Sequence, residues 1–508
     1  MSAVVGLPEA RTHDELSYLL AADTYARGRL TNPSHAMWVH FETPHVLHQP
    51  TYMSKYQPAQ GAFLAFGVRF GKHPIVGVWL SVIAMTAAIY WMLLAWLPPR
   101  WALLGVMLTA LQFGVAGYWA QSYWGGAVSA CGGALVFGAY RRLLRACSWK
   151  PALALCVGVL LLAFSRPFEG LVVTVATLVS LLRTFVRRGQ TFECLRRSIL
   201  PVTIAGVLGI ALLATNNRAV TGSAFTLPYQ VHTEQYGASP LFLWQTPPPT
   251  PAYRHERLRE FHVDWESQAY EYQRSMAGWV THALARPATA ALDHMFGPQD
   301  GLNPGWLPGS LLLPMLLLLP LSRRRWSRYA LLVVALLFLA LTTATYFVPH
   351  YVALLASLWM FLVVEAVRIV RVALRRRHRL RRLVVPVLLL YSVSLAGVSA
   401  AAYGIAVRSE DHWFEQRKRI ANSLASTGGE HLVLVDYEKG YSIHKEWISN
   451  TADIDSQAVV WARSMGGMRD RQLIAYYTGR TVWRLTVAPD APPLLIPSAS
   501  PPGPQNRP

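Results

Sequence analysis

The stretch Ile75-Val-Gly-Val-Trp-Leu-Ser-Val-Ile-Ala-Met-Thr-Ala-Ala-Ile-Tyr-Trp-Met-Leu-Leu-Ala-Trp-Leu97 contains no charged residue and stops at Pro98-Pro99-Arg100. A helix needs roughly 20 apolar residues to cross about 30 Å of hydrocarbon, so this segment reads as a membrane span. Nine more stretches follow the same pattern: Trp101–Tyr118, Trp124–Tyr140, Pro151–Phe164, Pro167–Leu182, Ile199–Thr215, Trp306–Ser322, Tyr329–Phe347, His350–Val367 and Leu383–Val407. The fourth and fifth of the ten are short and joined by Ser165-Arg166-Pro167, as half-length helices meeting at a polar cavity would be.

Lys and Arg give the sidedness. Alternate connections between the spans hold 22 of the 47 basic residues, opposed only by Glu193, and they include eight arginines from Arg368 to Arg382. The other connections balance 25 basic residues against 25 acidic ones, and Glu365 is left inside a span. Composition agrees, because the 508 residues are 53% hydrophobic and only 15% charged, against about 25% charged for globular domains. The net charge of +20 is therefore an orientation signal for a cytoplasmic face and not a nucleic-acid footprint. The arginines of 368–382 also suit contact with anionic membrane lipids.

The expected fold is an α-helical polytopic membrane protein, with about ten visible spans and a small C-terminal α/β extracytoplasmic domain. Residues 1–73 form an outer loop with an interfacial helix, 74–215 spans one to six, and 216–305 a long outer loop. Residues 306–407 hold spans seven to ten, 408–490 the α/β domain, and 491–508 a Pro- and Ser-rich disordered tail. In the α/β domain His431–Val435, Val459–Arg463 and Thr481–Val487 read as strands and Arg469–Tyr477 as a helix. Cys131 and Cys156 fall in spans and Cys147 and Cys194 in cytoplasmic loops, so the outer regions have no thiolate site. Most histidines fall on the outer side, and His35, His40, His45 and His48 share one segment at spacings that match no ligand motif.

Candidate chemistry gathers on that neutral face. Thr12-His-Asp-Glu-Leu-Ser-Tyr-Leu-Leu opens an interfacial helix. Asp14 and Glu15 can serve a metal or take a proton from a hydroxyl, and Thr12-x-x-Glu15 reads equally as a capping box. Lys55, in Lys55-Tyr-Gln-Pro58 before a span, suits a lipid phosphate or simple snorkelling. Arg166 and Glu169 sit where two spans meet, as a functional pair or a structural one. His350 and Tyr351 occupy another outer turn that reaches the same cavity. The run Tyr118-Trp119-Ala-Gln-Ser-Tyr123-Trp124 suits a sugar platform or an interfacial aromatic belt.

Taken together, the Asp-Glu loop, the Lys-x-x-Pro element and many spans followed by an outer tail resemble the GT-C glycosyltransferases. The likeness is to the branch of protein O-mannosyltransferases and aminoarabinose lipid A transferases. It is strongest over residues 12–185 and weaker over 216–370, where Asn217-Arg-Ala-Val-Thr-Gly222 and Leu227-Pro-Tyr229 look like the family's re-entry segment. The resemblance implies a polyprenyl-phosphate-linked sugar donor and a hydroxyl acceptor (glycan, lipid or protein). It also implies action on the periplasmic or extracellular face of a bacterial-type inner membrane. On it Asp14 would be the catalytic or metal-binding carboxylate with Glu15 assisting, and Lys55 would contact the donor phosphate. The family's usual Lys-Pro-Pro is here Lys-Tyr-Gln-Pro. Arg166 and His350 join the phosphate set on charge and position, with Glu169, Tyr118, Trp119, Tyr123, Trp124 and Tyr351 lining the substrate.

A divalent metal is the expected cofactor and a nucleotide is not, there being no Walker or GxGxxG pattern. The family also expects a span ahead of the Asp-Glu loop. Met1 would then be an internal start, or the loop would reach the outer side by another route. Two other readings fit the spans: a transporter or flippase with Arg166 and Glu169 along its path, and a non-catalytic envelope-polysaccharide assembly protein working through its tail.

Overall fold

A computed structural model describes residues 7–116, 118–124, 126–296, 324–408 and 412–498. Helix α1 (His13–Ala26) is followed by three short strands, β1 (Asn32–Pro33), β2 (Val46–Leu47) and β3 (Thr51–Ser54), in the order β1-β3-β2. Helix α2 (Pro58–Gly71) packs between α1 and α3 (Pro74–Trp96). Its approach to α3 is close, since a Cβ on Gly77 would meet the Phe63 carbonyl oxygen at 2.0 Å. Residues 1–73, expected as a loop with one helix, thus hold two helices and a small sheet.

The membrane body continues through α4 (Pro99–Thr109), α5 (Ala127–Leu143), α6 (Trp149–Ala163), α7 (Pro167–Arg187) and α8 (Thr191–Thr221). Five described segments are long and apolar enough to cross a bilayer: Pro74–Trp96, Pro167–Arg187, Thr191–Thr221, Pro349–Arg376 and His378–Val398. Four more of the ten expected spans are helices of 11 to 17 residues, and α4 runs on into a wider π-helical turn at Ala110–Ala116. The expected span Trp306–Ser322 lies outside the described residues. Helix α8 is apolar yet scarcely buried, with Ile210 68% and Leu212 65% exposed. A helix that shows its apolar residues to its surroundings needs lipid around it. The chain is a multi-pass membrane protein.

Among the described residues the expected long outer loop holds α9 (Pro228–Tyr236), a short helical turn at Glu256–Arg259 that runs into a π-helical turn at Glu260–Glu266, then α10 (Ser267–Arg274) and the 21-residue α11 (Met276–Phe296). Buried Arg286 fastens α11 by donating to the carbonyls of Leu341 and Ala344 and to Gln273. Then come α12 (Arg325–Leu341), α13 (Ala356–Ala373), which forms the buried centre of the bundle, and α14 (His378–Arg408). Glu365, isolated within a span, is bonded to both Arg324 and Arg368. Cys147 and Cys194, on the arginine-rich side, form a disulfide.

The C-terminal domain comprises α15 (Trp413–Ser426), β4 (His431–Tyr437), β5 (Val459–Arg463), α16 (Gly467–Tyr476), β6 (Thr481–Ala488) and β7 (Ala491–Pro497). Strand order is β5-β4-β6-β7, with β4 parallel to both β5 and β6, and β7 antiparallel to β6. The expected disorder from 491 is corrected: Ala491–Pro497 is an edge strand, the sheet position that tolerates proline. Residues 499–508 lie outside the described set. This sheet does not stand alone. Leu432, Leu434 and Val460 share one core with Leu20, Phe41 and Tyr52 of the first segment.

Candidate functional site

Helix α1 begins as its residues dictate. Thr12 and Glu15 form a reciprocal capping box. Glu15 Oε2 accepts from the backbone N–H groups of Arg11 (2.6 Å) and Thr12 (3.3 Å), and Oε1 from that of Tyr123 (2.8 Å). Burial pushes this carboxyl upward, and those backbone donors oppose the shift. Glu15 therefore ties the helix start to the turn at Tyr123, and its oxygens are occupied. The structure gives it the capping reading and leaves Asp14 to face the site.

The β2–β3 hairpin brings the remaining groups to Asp14. Ser17 bolts α1 to it, through bonds of 2.7 Å to the His45 carbonyl and to Ser54 Oγ. The Lys55 N–H donates to the His45 carbonyl at 3.1 Å. Asp14 Oδ2 lies 3.1 Å from His13 Nδ1, and Oδ1 lies 3.7 Å from His45 Nε2 and accepts from the Tyr56 hydroxyl. Burial would raise the Asp14 carboxyl, but the two imidazoles and the Tyr56 hydroxyl outweigh it and hold it well below its ordinary range. His45 is held well below its own ordinary value by burial and by the Lys55 ammonium, Asp14 opposing. Lys55 is 4% exposed, and no carboxylate lies within ion-pair distance of it among the described residues. Its ammonium faces the rings of Tyr229 (4.6 Å) and Tyr56 (5.5 Å). Burial pulls it down to about 8, with Glu266 and Asp14 opposing.

A second group lies alongside. The Arg166 guanidinium sits 4.0 Å from the centre of the Tyr351 ring, and it makes no ion pair within 4 Å with buried Glu169. Tyr18 stacks on Tyr56 at 4.6 Å and feels the charges of both Arg166 and Asp14, which links the two groups. His350 Nδ1 lies 3.1 Å from the Tyr118 hydroxyl, with Trp124 edge-on at 4.6 Å. Trp119 and Tyr123, expected on the substrate wall, belong to the core instead. Trp119 is 2% exposed and stacks on Phe113, and the Tyr123 hydroxyl donates to the Pro8 carbonyl at 2.6 Å.

Several residues of the site escaped the sequence reading. His13, Tyr18, Tyr56 and Tyr229 lie within quoted stretches that give them no role of their own, and His45 is one of four irregularly spaced histidines. His35, His40 and His48 go elsewhere: His35 to Asp455 at 2.9 Å, His40 to the Arg463 carbonyl at 2.9 Å, His48 against Tyr52. The C-terminal domain also reaches in. Arg257 holds the loop at Tyr441–Lys445 by its carbonyls, and His444 Nδ1 lies 3.5 Å from His13 Nε2. Only the clustering of histidines on the arginine-poor side expected from the sequence is a usable signal for them.

His13, Asp14 and His45 offer donor atoms that all lie within 4.8 Å of one another. His45 Nδ1 is buried without a hydrogen-bond partner. Two imidazoles and a carboxylate suit a divalent transition metal with a position left open, so the residues fit a metal.

The helical membrane body, with its acidic and basic groups gathered beside the C-terminal α/β domain, can be compared with known proteins as a fold. No family profile matches the sequence, and no curated protein matches it. Among solved structures, ArnT from Cupriavidus metallidurans bound to undecaprenyl phosphate is similar, with a TM-score of 0.54 at 13% identity over 95% of this chain and 90% of that one. Its apo form gives 0.51 at 11% identity, over 94% and 89%. The apo oligosaccharyltransferase of Archaeoglobus fulgidus gives 0.47 at 11%, over 95% of this chain and 67% of that one. At such identities the likeness to the two ArnT structures is one of fold.

Proposed function

We propose that the protein is an integral-membrane glycosyltransferase that moves a sugar from a polyprenyl-phosphate donor to a hydroxyl acceptor on the arginine-poor, outer face of the membrane. The observation that carries this is Lys55, a buried ammonium that has no carboxylate within ion-pair distance among the described residues, although it feels the charge of the ionised Asp14. A buried cation without an anion is costly, and a lipid phosphate entering from the bilayer supplies that anion. The similar ArnT structure, which holds undecaprenyl phosphate, supports the choice of lipid.

On this reading Lys55 and Arg166 bind the donor phosphate and stabilise its negative charge as the bond to the sugar breaks. The acceptor oxygen bonds to the anomeric carbon, its proton passes to the Asp14 carboxylate, and polyprenyl phosphate leaves with the bonding electrons. Tyr56 orients Asp14 by donating to Oδ1. His13, His45 and Asp14 would hold a divalent cation, which supplies further positive charge at the leaving phosphate when bound.

The test is purified full-length protein incubated with a panel of polyprenyl-phosphate sugars, wild type against Asp14→Asn. Polyprenyl phosphate release by the wild type, slowed about 100-fold or more in the variant, is expected. Equal release by both, or by neither across the panel, would sink the assignment.

A further inference from the structure

Six arginines on the far, arginine-rich end of the body converge on a cavity of about 660 Å³: Arg100, Arg324, Arg368, Arg371, Arg375 and Arg381. Glu365 engages two of them, one through each oxygen. The other four have no carboxylate within ion-pair distance among the described residues. The Nε of Arg371 is buried without a hydrogen-bond partner. An orientation signal needs basic residues only near the ends of spans, each free to point into water. It does not explain guanidinium groups brought together from four helices around one space, where their charges repel.

Three of the six also stand at helix starts. Arg100 is the second residue of α4, Arg324 caps α12, and Arg381 lies in the first turn of α14. The helix dipole disfavours a cation at that end and favours an anion. Guanidinium forks match phosphate oxygens bidentately. The remaining wall is apolar, made by Trp101, Leu104, Val372 and Val385, and Arg368 and Arg371 lie 5.8 and 5.4 Å from the Trp101 ring. Cationic floor and apolar wall together suit a phosphate that carries a hydrocarbon end.

We propose that this cavity binds the phosphate of an anionic phospholipid, with its glycerol and first methylenes against Trp101 and the two valines. The site is separate from the donor site, and nothing in the argument depends on sugar transfer.

The test uses the full-length protein in detergent, exposed to vesicles of phosphatidylcholine alone or mixed with phosphatidylglycerol or cardiolipin. Lipid retained through repurification is read by native mass spectrometry, and the melting temperature is read alongside. The wild type should retain the anionic lipid and melt higher with it. Arg371→Gln combined with Arg375→Gln should cut retention about tenfold, as loss of charge-assisted bonds implies. Arg183→Gln combined with Arg187→Gln removes the same charge from the same face and should leave retention unchanged. Equal losses in the two pairs would reduce the effect to general surface attraction and overturn the site. So would failure of the wild type to retain either anionic lipid. A separate arm adds sodium phosphate without lipid, and a rise in melting temperature as large as that from lipid would overturn the lipid as the source.

Discussion

The Nζ of Lys55 lies 4.6 Å from the centre of the Tyr229 ring, in a place where burial draws its proton affinity down to about 8. Aromatic faces ease an ammonium's burial without neutralising it. Lys55→Met should therefore stabilise the free protein, by about 3 kcal/mol at neutral pH, while greatly weakening donor binding. The stability curve has a definite sign. From about pH 8 toward the ordinary 10.5 the unfolded lysine keeps its proton and the folded one has lost it, so the wild type gains stability as pH rises through that window. Lys55→Met should lack this slope, which thermal melts across the window would show.

The same ammonium sets a limb in the kinetics. Below about pH 8 it is charged and, on the proposed function, would hold the donor phosphate; as pH rises through 8 the charge is lost, so the KM for donor should climb between pH 7 and 9. Lys55→Arg stays charged throughout and should flatten that limb. A limb near 8 that persists in Lys55→Arg would assign the titration to another group.

His45 and His13 give a test that needs no sugar. The wild type should carry about one divalent ion per chain, measured by elemental mass spectrometry after dialysis. His45→Gln should weaken its retention at least tenfold, roughly the least expected for losing a direct ligand. His48→Gln, a buried imidazole packed on Tyr52 away from the cluster, should leave it unchanged. Equal metal content in all three proteins would remove the ion from the site.

What the sequence made legible follows from how far apart the deciding residues lie. Spans and strands are local patterns, so Pro74–Trp96 and His431–Tyr437 were both expected within two residues. Asp14 and Lys55 were visible because each stands at an element's edge, where a charge needs a reason. His45 reaches Asp14 only through the β2–β3 hairpin, and His444 reaches His13 across 431 positions. No window of sequence contains those contacts. The Pro-rich strand Ala491–Pro497 was missed for a different reason: its composition reads as disorder until β6 is there to pair with it.

Arg166 and Glu169 separate a transferase from a transporter. Arg166 packs over Tyr351 and makes no ion pair with Glu169. Arg166→Lys should lose the planar stacking and raise the donor KM about tenfold. Glu169→Gln should stay within about twofold, since a carboxylate offers a donor phosphate neither positive charge nor a hydrogen-bond donor. A transport path lined by both residues predicts comparable losses from either change, together with solute flux that survives Asp14→Asn.

Phe41, 1% exposed, lies in one core with Leu432, Leu434 and Val460 of the C-terminal sheet. Truncating residues 410–508 would expose that core and release His444 from His13, so the shortened chain should lose both stability and sugar transfer. Truncation alone cannot separate a recognition role from a structural one. Phe41→Ala addresses the shared core directly and should cost about 3–5 kcal/mol, read as a fall in melting temperature with faster tryptic cleavage of the C-terminal domain. His444→Ala leaves the core intact and should preserve that temperature while altering metal retention or turnover. If Phe41→Ala melts like the wild type, or the truncated protein keeps full transfer, the two segments do not fold as one unit and the C-terminal domain is dispensable to the site.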